Sequence, residues 1–409
     1  MKVLFVVPSY VPAWRTGGPV VSIHSLARHI VQLGHPVTVI TTNDNGGEVL
    51  NVPLNEPAHL DGVEVWYYPI ENLPMPWPLS RMGYFSKSWG FSFSPRQRQA
   101  VRERVGKFDV VSIQNPFAYA NIAGAFEARS AGVPYMYYAR GMLQPSHLKF
   151  RAAKKRLYMG LFEKRILRHA AGLFALTEDE AAAYRLLGLE TPTYVIPNAV
   201  DLSGLCTTVV DPTAPLIRQL EGKAVILYLS RIHPTKGVDV LVEAFVELAA
   251  RHPSAVLVVA GPDEGDMVSG FEARLNQAAL AGRVLFPGLI AGAAKRDLLA
   301  RADVFVLPSH MEGFSMSVLE AMGSGVPVVI TPGCHFPDVE RARAGLIVEP
   351  RVRSMVEALD KLLASESLRR DMGGSGRRLV HDQYQWSKVA QRTVEAYGRA
   401  AAMQVFSQK

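Results

Sequence analysis

The side chains best placed for chemistry are two carboxylates, Glu312 and Glu320, which lie eight positions apart. The pattern around them predicts a strand at 304–307, a loop that carries Glu312, a helix that carries Glu320, and a second strand at 328–330. In an open parallel sheet such a loop leaves the carboxyl end of a strand, which is where ligands bind. Gly313 lets backbone N–H groups approach a ligand, and the N-terminus of the next helix favours an anion. Two glutamates alone are also typical of a solvated helix surface, so the prediction depends on this context.

Two cations stand in a second loop of the same kind. Residues 225–229 form an apolar run that predicts a strand, and Arg231 and Lys236 follow it. Helical spacing of apolar residues begins at Val238, directly after Gly237. Arg231 and Lys236 therefore frame a helix N-terminus, where two cations and the helix dipole can hold a diphosphate.

A glycine pair, Gly17 and Gly18, lies between a predicted strand at 3–7 and a predicted helix at 20–33. A strand, a glycine pair and a helix N-terminus in this order make a cradle for phosphate or sugar oxygens. By itself such a pair is more typical of a plain tight turn, so its assignment also depends on context.

Taken together, these features resemble the retaining glycosyltransferases of the family 4 type, which use a nucleotide-sugar donor. The resemblance rests on an E-x7-E element at Glu312 and Glu320, an R-x4-K-G segment from Arg231 to Gly237, and the glycine pair, and it is densest from 227 to 349. It implies that Glu312 holds the donor sugar and Glu320 the ribose hydroxyls. It also implies that Arg231 and Lys236 neutralise the donor diphosphate, so we expect Glu312, Arg231 and Lys236 to carry catalysis. The further donor-binding residues that it implies are Gly17, Gly18, Gly288, Gly313, Phe314 and Ser315.

The chain departs from the family pattern at the end of a strand predicted over 109–113. Family members carry a histidine there, near the reacting sugar, and this sequence has Gln114. A glutamine can hydrogen-bond a sugar hydroxyl, but it cannot accept a proton near neutral pH. We predict that Gln114 contacts the donor sugar. The alternative is that Gln114 points into the domain core and that another group, such as Arg140 or His147, meets the sugar.

Strands and helices alternate through both halves of the 409-residue chain, which is long enough for two domains. The resemblance implies the GT-B architecture, an α/β protein with two doubly wound Rossmann-like domains facing a central cleft. We predict an acceptor-binding N-terminal domain at 1–200, a linker at 201–222, and a nucleotide-sugar-binding domain at 223–385. A final helix at 386–409 is expected to cross back to the first domain.

Composition narrows the class of protein. A formal net charge of +7 fits a protein that meets anionic ligands or an anionic membrane surface, without requiring nucleic acid. The two cysteines, Cys206 and Cys334, cannot build a disulfide framework, which favours a reducing compartment. No apolar run approaches the roughly 18 residues that span a bilayer. These features predict a cytoplasmic protein.

Two segments leave alternatives open. A helix that begins near Leu148 is strongly basic, and Leu157, Leu161 and Ile166 are expected to form its inward face. It is either a solvated surface helix or a contact with anionic lipid or a polyprenyl-diphosphate acceptor, on the inner face of a membrane. The proline- and aromatic-rich segment 73–93 is either packing over the sheet or part of an acceptor or membrane contact.

The sequence therefore predicts a hexosyltransferase that moves a sugar from a nucleoside-diphosphate sugar to a glycan or lipid-linked acceptor, in polysaccharide biosynthesis. No D-x-D triplet occurs in the chain, so we expect no metal and no other cofactor. The alternatives are a nucleotide-sugar epimerase or phosphorylase of the same layout, and a non-catalytic protein that binds sugar nucleotides or lipid. A dehydrogenase is disfavoured because no G-x-G-x-x-G follows the first strand.

Overall fold

The computed structural model describes residues 1–72, 91–149, 152–202, 211 and 214–407. The chain divides into unit 1, which comprises Met1–Asn198 and Trp386–Lys409, and unit 2, which comprises Ala199–Gln385. Most of the segment 73–93 lies outside the described residues, and so does Cys206.

Unit 1 is a layered α/β structure. Its strands are β1 (Val3–Val6), β2 (Val37–Thr42), β3 (Asp44–Asn45), β4 (Glu48–Val49), β5 (Pro57–Leu60), β6 (Val63–Tyr68), β7 (Val110–Gln114), β8 (Tyr135–Tyr138), β9 (Gly172–Ala175) and β10 (Thr193–Val195). Its helices are α1 (Gly18–Gln32), α2 (Pro95–Arg104), α3 (Tyr119–Ser130), α4 (Pro145–Lys149), α5 (Ala152–Tyr158), α6 (Lys164–His169), α7 (Glu178–Leu186) and, after unit 2, α16 (Trp386–Ser407).

Among the described residues of unit 1, eight strands form one sheet in the order β10-β9-β8-β7-β1-β2-β6-β5. Neighbouring strands are parallel except β5, which pairs antiparallel with β6. The chain leaves β1 towards β2 on one side and later reaches β7 on the other, so the strand order reverses between β1 and β7. In open sheets, ligands bind outside the carboxyl ends of the strands at such a switch point. Gly17 follows β1, and Gln114 ends β7.

Unit 2 repeats this architecture. Its strands are β11 (Ala224–Leu229), β12 (Ala255–Ala260), β13 (Val284–Gly288), β14 (Val304–Leu307), β15 (Val328–Ile330) and β16 (Gly345–Ile347). Its helices are α8 (Pro215–Gln219), α9 (Val238–Leu248), α10 (Val268–Gln277), α11 (Gly292–Arg301), α12 (Met316–Gly323), α13 (Asp338–Arg341), α14 (Val352–Leu363) and α15 (Glu366–Gln383). The parallel sheet has the order β13-β12-β11-β14-β15-β16. Its strand order reverses between β11 and β14, which is the switch point of this sheet.

The predicted strands at 304–307 and 328–330 are confirmed, and the core explains why they form. Strands β1, β14 and β15 are apolar and buried at every position, as parallel strands covered on both faces must be. Helix α9 turns Leu241, Phe245 and Leu248 inward at helical spacing, and all three are fully buried. Burying one such side chain is worth about 1.5–3 kcal/mol. A Phe245→Ala exchange would cost about 3–5 kcal/mol, because a cavity remains.

The prediction that Leu157, Leu161 and Ile166 form the inward face of the basic helix is wrong in part. Ile166 is buried, but Leu157 is 65% exposed and Leu161 is 59% exposed. A π-helical segment, Met159–Glu163, separates α5 from α6 and changes which positions face the core. Its inward residues are Met159 and Glu163, so the apolar side chains between them point outward.

Candidate active site

The loop after β14 places Glu312 at the carboxyl edge of the unit 2 sheet. The backbone N–H of Glu312 donates to the carbonyl oxygen of Gly333 at 2.9 Å, which anchors this part of the loop. Ser315 ends the loop because its hydroxyl accepts a hydrogen bond from the N–H of Val318 and so caps the N-terminus of α12. Gly313 lies between the anchored carboxylate and this cap, as the sequence predicts.

The loop after β11 is held against the loop after β14 by its backbone. Gly237 has a φ of 65°, and a Cβ at this position would lie 2.2 Å from the carbonyl oxygen of Pro308. Only glycine permits that approach. The N–H of His310 also donates to the carbonyl oxygen of Thr235 at 2.9 Å. These contacts fix the position of Lys236, which precedes Gly237, relative to the loop that carries Glu312.

The result is a direct ion pair between two predicted site residues. Lys236 Nζ donates to Glu312 Oε1 at 2.6 Å, and the two side chains are only 8% and 13% exposed. Arg231 lies in the same loop as Lys236 but faces solvent, where it pairs with Glu264 at 2.6 Å. An exposed pair of this kind contributes little to stability, so Arg231 can exchange Glu264 for a ligand anion at small cost.

The side chains of Glu320 and Phe314 both contact other residues of unit 2. Glu320, in α12, accepts a hydrogen bond from Lys295 Nζ at 2.7 Å. Lys295 is not predicted from the sequence, because one lysine in a surface helix carries no signal. The ring of Phe314 packs on that of Phe336, with centroids 5.1 Å apart, and Phe336 in turn packs on Tyr384. Phe314 therefore has a structural role in positioning the loop.

Gly288 ends β13 and joins it to the neighbouring strand. Its carbonyl oxygen accepts a hydrogen bond from the N–H of Gly261 at 2.8 Å, just beyond β12. Gly288 has a φ of 72°, which turns the chain at the carboxyl edge of the sheet. It therefore lies at the same edge as the loops that carry Lys236 and Glu312.

In unit 1 the glycine pair begins α1. Gly17 has a φ of 87° and is the N-cap residue, and Gly18 is the first helical residue. Both are exposed, and no side chain caps this helix N-terminus. Its first N–H groups are therefore open to an acceptor such as a phosphate oxygen.

Gln114 points into the core of unit 1, which is the second of the two placements that the sequence left open. It is fully buried, its amide oxygen accepts from Arg140 Nε at 3.1 Å and from Nη2, and its amide nitrogen donates to Ser112 at 3.2 Å. The predicted direct contact with a sugar is not supported by this placement, because both ends of the amide are used inside unit 1. Arg140 also donates to Asn198 at 3.1 Å, and burial lowers the pKa of its guanidinium to about 10.

The structure thus brings together Lys236 and Glu312, and it places Arg231 in the loop that carries Lys236. No group of three or more histidine, cysteine, aspartate or glutamate side chains is arranged to hold a metal ion in the part of the chain that the structure describes. Within those same residues, no helix is long and apolar enough to cross a membrane.

Comparisons with known proteins agree with this architecture. Residues 17–199 match the family described as glycosyl transferase 4-like domain, and residues 217–379 match glycosyl transferases group 1. The two matches together take in most of the chain. The protein belongs to the group 1 glycosyltransferases, and its units have the Rossmann-like folds of the GT-B class.

Individual relatives are distant. Mannosylfructose-phosphate synthase of Agrobacterium fabrum is 32% identical over 192 residues, which cover 44% of this chain and 42% of the relative. The chain thus spans less than half the length of that relative. Phosphatidyl-myo-inositol mannosyltransferase of Mycolicibacterium smegmatis is 27% identical over 325 residues, which cover 75% of this chain and 75% of the relative. The structure of HepE from Anabaena, in complex with UDP and glucose, has a TM-score of 0.73 at 18% identity and covers 97% of this chain and 99% of HepE.

Proposed function

We propose that this protein is a retaining glycosyltransferase that moves a hexose from a nucleoside-diphosphate sugar to a glycan or polyprenyl-diphosphate-linked acceptor, in polysaccharide biosynthesis. Membership of the family supports glycosyl transfer. A nucleoside-diphosphate donor is supported by the similar fold of HepE, whose structure contains UDP and glucose.

The observation that carries the proposal is the Lys236–Glu312 ion pair at the carboxyl edge of the unit 2 sheet, with Arg231 in the same loop as Lys236. Negative charge builds up on the diphosphate as it leaves the sugar. At an effective dielectric constant near 20, a cation about 4 Å from that charge is worth roughly 4 kcal/mol, and each ~1.36 kcal/mol changes the rate tenfold. Arg231 and Lys236 supply these cations. Glu312 binds hydroxyl groups of the donor sugar, and the departing phosphate accepts the proton of the acceptor hydroxyl.

The cations of the chain take the place that a divalent ion occupies in other transferases, so the proposed reaction needs no metal. The test combines a panel of nucleotide sugars with a glycan acceptor mixture, with and without EDTA. We expect transfer that survives chelation and a product whose anomeric configuration, read by NMR, matches that of the donor. Loss of activity on chelation that magnesium restores would refute the metal-free mechanism. Isomerised donor in the absence of acceptor would instead identify an epimerase.

Contact with an anionic membrane is the second part of the proposal. Phe126, Leu161 and Phe162, which we call the apolar patch, are 55%, 59% and 42% exposed and line one groove between α3 and the π-helical segment. Arg129 and Arg165 line the same groove. An exposed apolar cluster rimmed by arginine is typical of a surface that inserts shallowly among anionic lipid headgroups. Flotation with vesicles tests this contact.

A further inference from the structure

Arg140 is a buried cation that has only neutral partners. Its side chain donates to the amide oxygens of Gln114 and Asn198, and the residue is 8% exposed. Among the described residues no carboxylate lies within ion-pair distance of its guanidinium. The carboxylate of Glu180 attracts Arg140 at longer range, but its two oxygens accept hydrogen bonds from the N–H groups of Gly141 and Leu176. A buried charge is costly unless an opposite charge meets it.

The position of Arg140 is that of a ligand-binding residue. It lies two residues after the end of β8, beside the end of β7, and so at the carboxyl edge of the unit 1 sheet, next to the switch point. Its backbone has a φ of 51°, the left-handed region that a side chain rarely adopts. Strained backbone of this kind persists where the surrounding structure holds it, and it clusters at ligand sites.

The loops after β7 and β8 carry further buried polar atoms that have no hydrogen-bond partner among the described residues. Gln144, in the same loop as Arg140, is 2% exposed, and neither its amide oxygen nor its amide nitrogen has a hydrogen-bond partner among the described residues. The amide oxygen of Asn115, the residue after Gln114, is also buried without a partner there. Buried polar groups are almost always hydrogen-bonded in a completed site, so a ligand that carries several oxygens would satisfy them.

We propose that the loops after β7 and β8 form an anion site in unit 1, in which Arg140 binds a phosphate group of the acceptor. The assignment of that phosphate to the acceptor rests on the proposed function, since Arg231 and Lys236 already serve the donor diphosphate. Gln114 is a positioning residue in this site: as a neutral amide it orients the guanidinium and leaves its charge for the ligand. A histidine or carboxylate at position 114 would change how much of the guanidinium charge remains available to the ligand.

The test uses inorganic phosphate as the probe and isothermal titration of the full chain. Gln114→Glu has nearly the shape of the native side chain but places a carboxylate on Arg140, so we expect phosphate affinity to fall about tenfold or more, from competition by the new ion pair. Arg231→Ala should keep phosphate binding within about twofold of wild type, because the unit 1 site is intact. Arg140→Gln should behave like Gln114→Glu, and UDP binding should be unchanged in both unit 1 variants.

Two outcomes would overturn the proposal. One is equal phosphate affinity in wild type and Gln114→Glu, with both proteins folded by thermal unfolding. The other is loss of all phosphate binding in Arg231→Ala, which would assign the phosphate to the donor cations of unit 2. The phosphate titration needs no sugar nucleotide, so it is separate from the proposed function. Failure of the wild type to bind or turn over any nucleotide sugar would refute the proposed function and leave this measurement intact.

Discussion

Lys236 Nζ lies 2.6 Å from Glu312 Oε1, in a pair whose side chains are both largely buried. The two residues are 76 positions apart and come from the loops after β11 and β14. In this arrangement Lys236 is neutralised by a protein carboxylate. Under the proposed function, a donor diphosphate would compete with Glu312 for Lys236 and would leave Glu312 free to meet sugar hydroxyls.

Removing either donor cation should slow transfer without unfolding the chain. We expect Lys236→Ala and Arg231→Ala each to lower turnover about a hundredfold, because the positive charge is needed most as the diphosphate leaves. Steady-state kinetics with the best donor from the nucleotide-sugar panel measure this. Arg353→Ala is the control, since Arg353 is 91% exposed in an i,i+4 pair with Glu357 on α14. Unchanged kinetics in both site variants would remove these cations from the mechanism.

Neutralising Glu312 should separate binding from turnover. In Glu312→Gln the ammonium of Lys236 loses its charged partner, so we expect free UDP to bind several-fold more tightly while turnover falls about a hundredfold. Titration calorimetry and initial rates measure the two effects. Glu264→Gln is the matched control, because it frees Arg231 from a solvent-exposed pair and should change UDP affinity by no more than about twofold. Weaker UDP binding in Glu312→Gln would contradict this account of the pair.

Substitution of the apolar patch should weaken binding to anionic vesicles. We expect the double variant Leu161→Gln/Phe162→Gln to lose about tenfold or more in affinity, because apolar area no longer enters the headgroup layer. Arg165→Gln should lose a smaller factor, as each basic residue near such a surface is worth about 1 kcal/mol. Flotation with vesicles that contain phosphatidylserine or phosphatidylglycerol measures both.

The chain offers a control for that experiment in Leu186, which is 79% exposed on α7 of the same unit. Leu186→Gln should bind vesicles like wild type, and neutral vesicles should bind all variants weakly. Equal flotation of wild type and the double variant would show that the apolar patch does not meet the membrane.

Glu163 should make the stability of the protein depend on pH. It is fully buried in the π-helical segment, where it accepts a hydrogen bond from the hydroxyl of Tyr137, and burial raises its pKa to about 7. In the unfolded chain its pKa is about 4.3. Between these values the folded state holds a proton that the unfolded state has lost, so this contribution to stability is full below about pH 4 and falls as pH rises to about 7.

Glu163→Gln replaces the titrating carboxyl with a neutral amide of the same shape. We expect the variant to lack this loss. Its free energy of unfolding should therefore gain on the order of 2–4 kcal/mol relative to that of wild type as pH rises from about 5 to about 8, measured by urea unfolding at each pH. The same pH profile in both proteins would mean that Glu163 ionises without cost in the folded state.

The order of strands and helices was largely predictable from the sequence, because each element is a local pattern. Apolar runs such as 304–307 and 328–330 form strands that are buried on both faces, and helical spacing after Gly237 marks α9. The same patterns place Arg231, Lys236 and Glu312 in loops at the carboxyl ends of strands. Ligands bind at such loops in open parallel sheets, so the position of the candidate unit 2 site could also be predicted, while its chemistry stays a prediction.

Only the tertiary structure decided which side chains contact one another across distant segments. The π-helical segment turned Leu161 outward, a change of register that helical periodicity cannot show because it assumes 3.6 residues per turn. The partner of Gln114 is Arg140, on a neighbouring strand end, and pairing between strands sets that contact. Lys236 meets Glu312 because Gly237 lets one loop approach the backbone of Pro308. Local sequence records the tendency of each segment to form an element, whereas packing between segments determines which charged groups share a buried site.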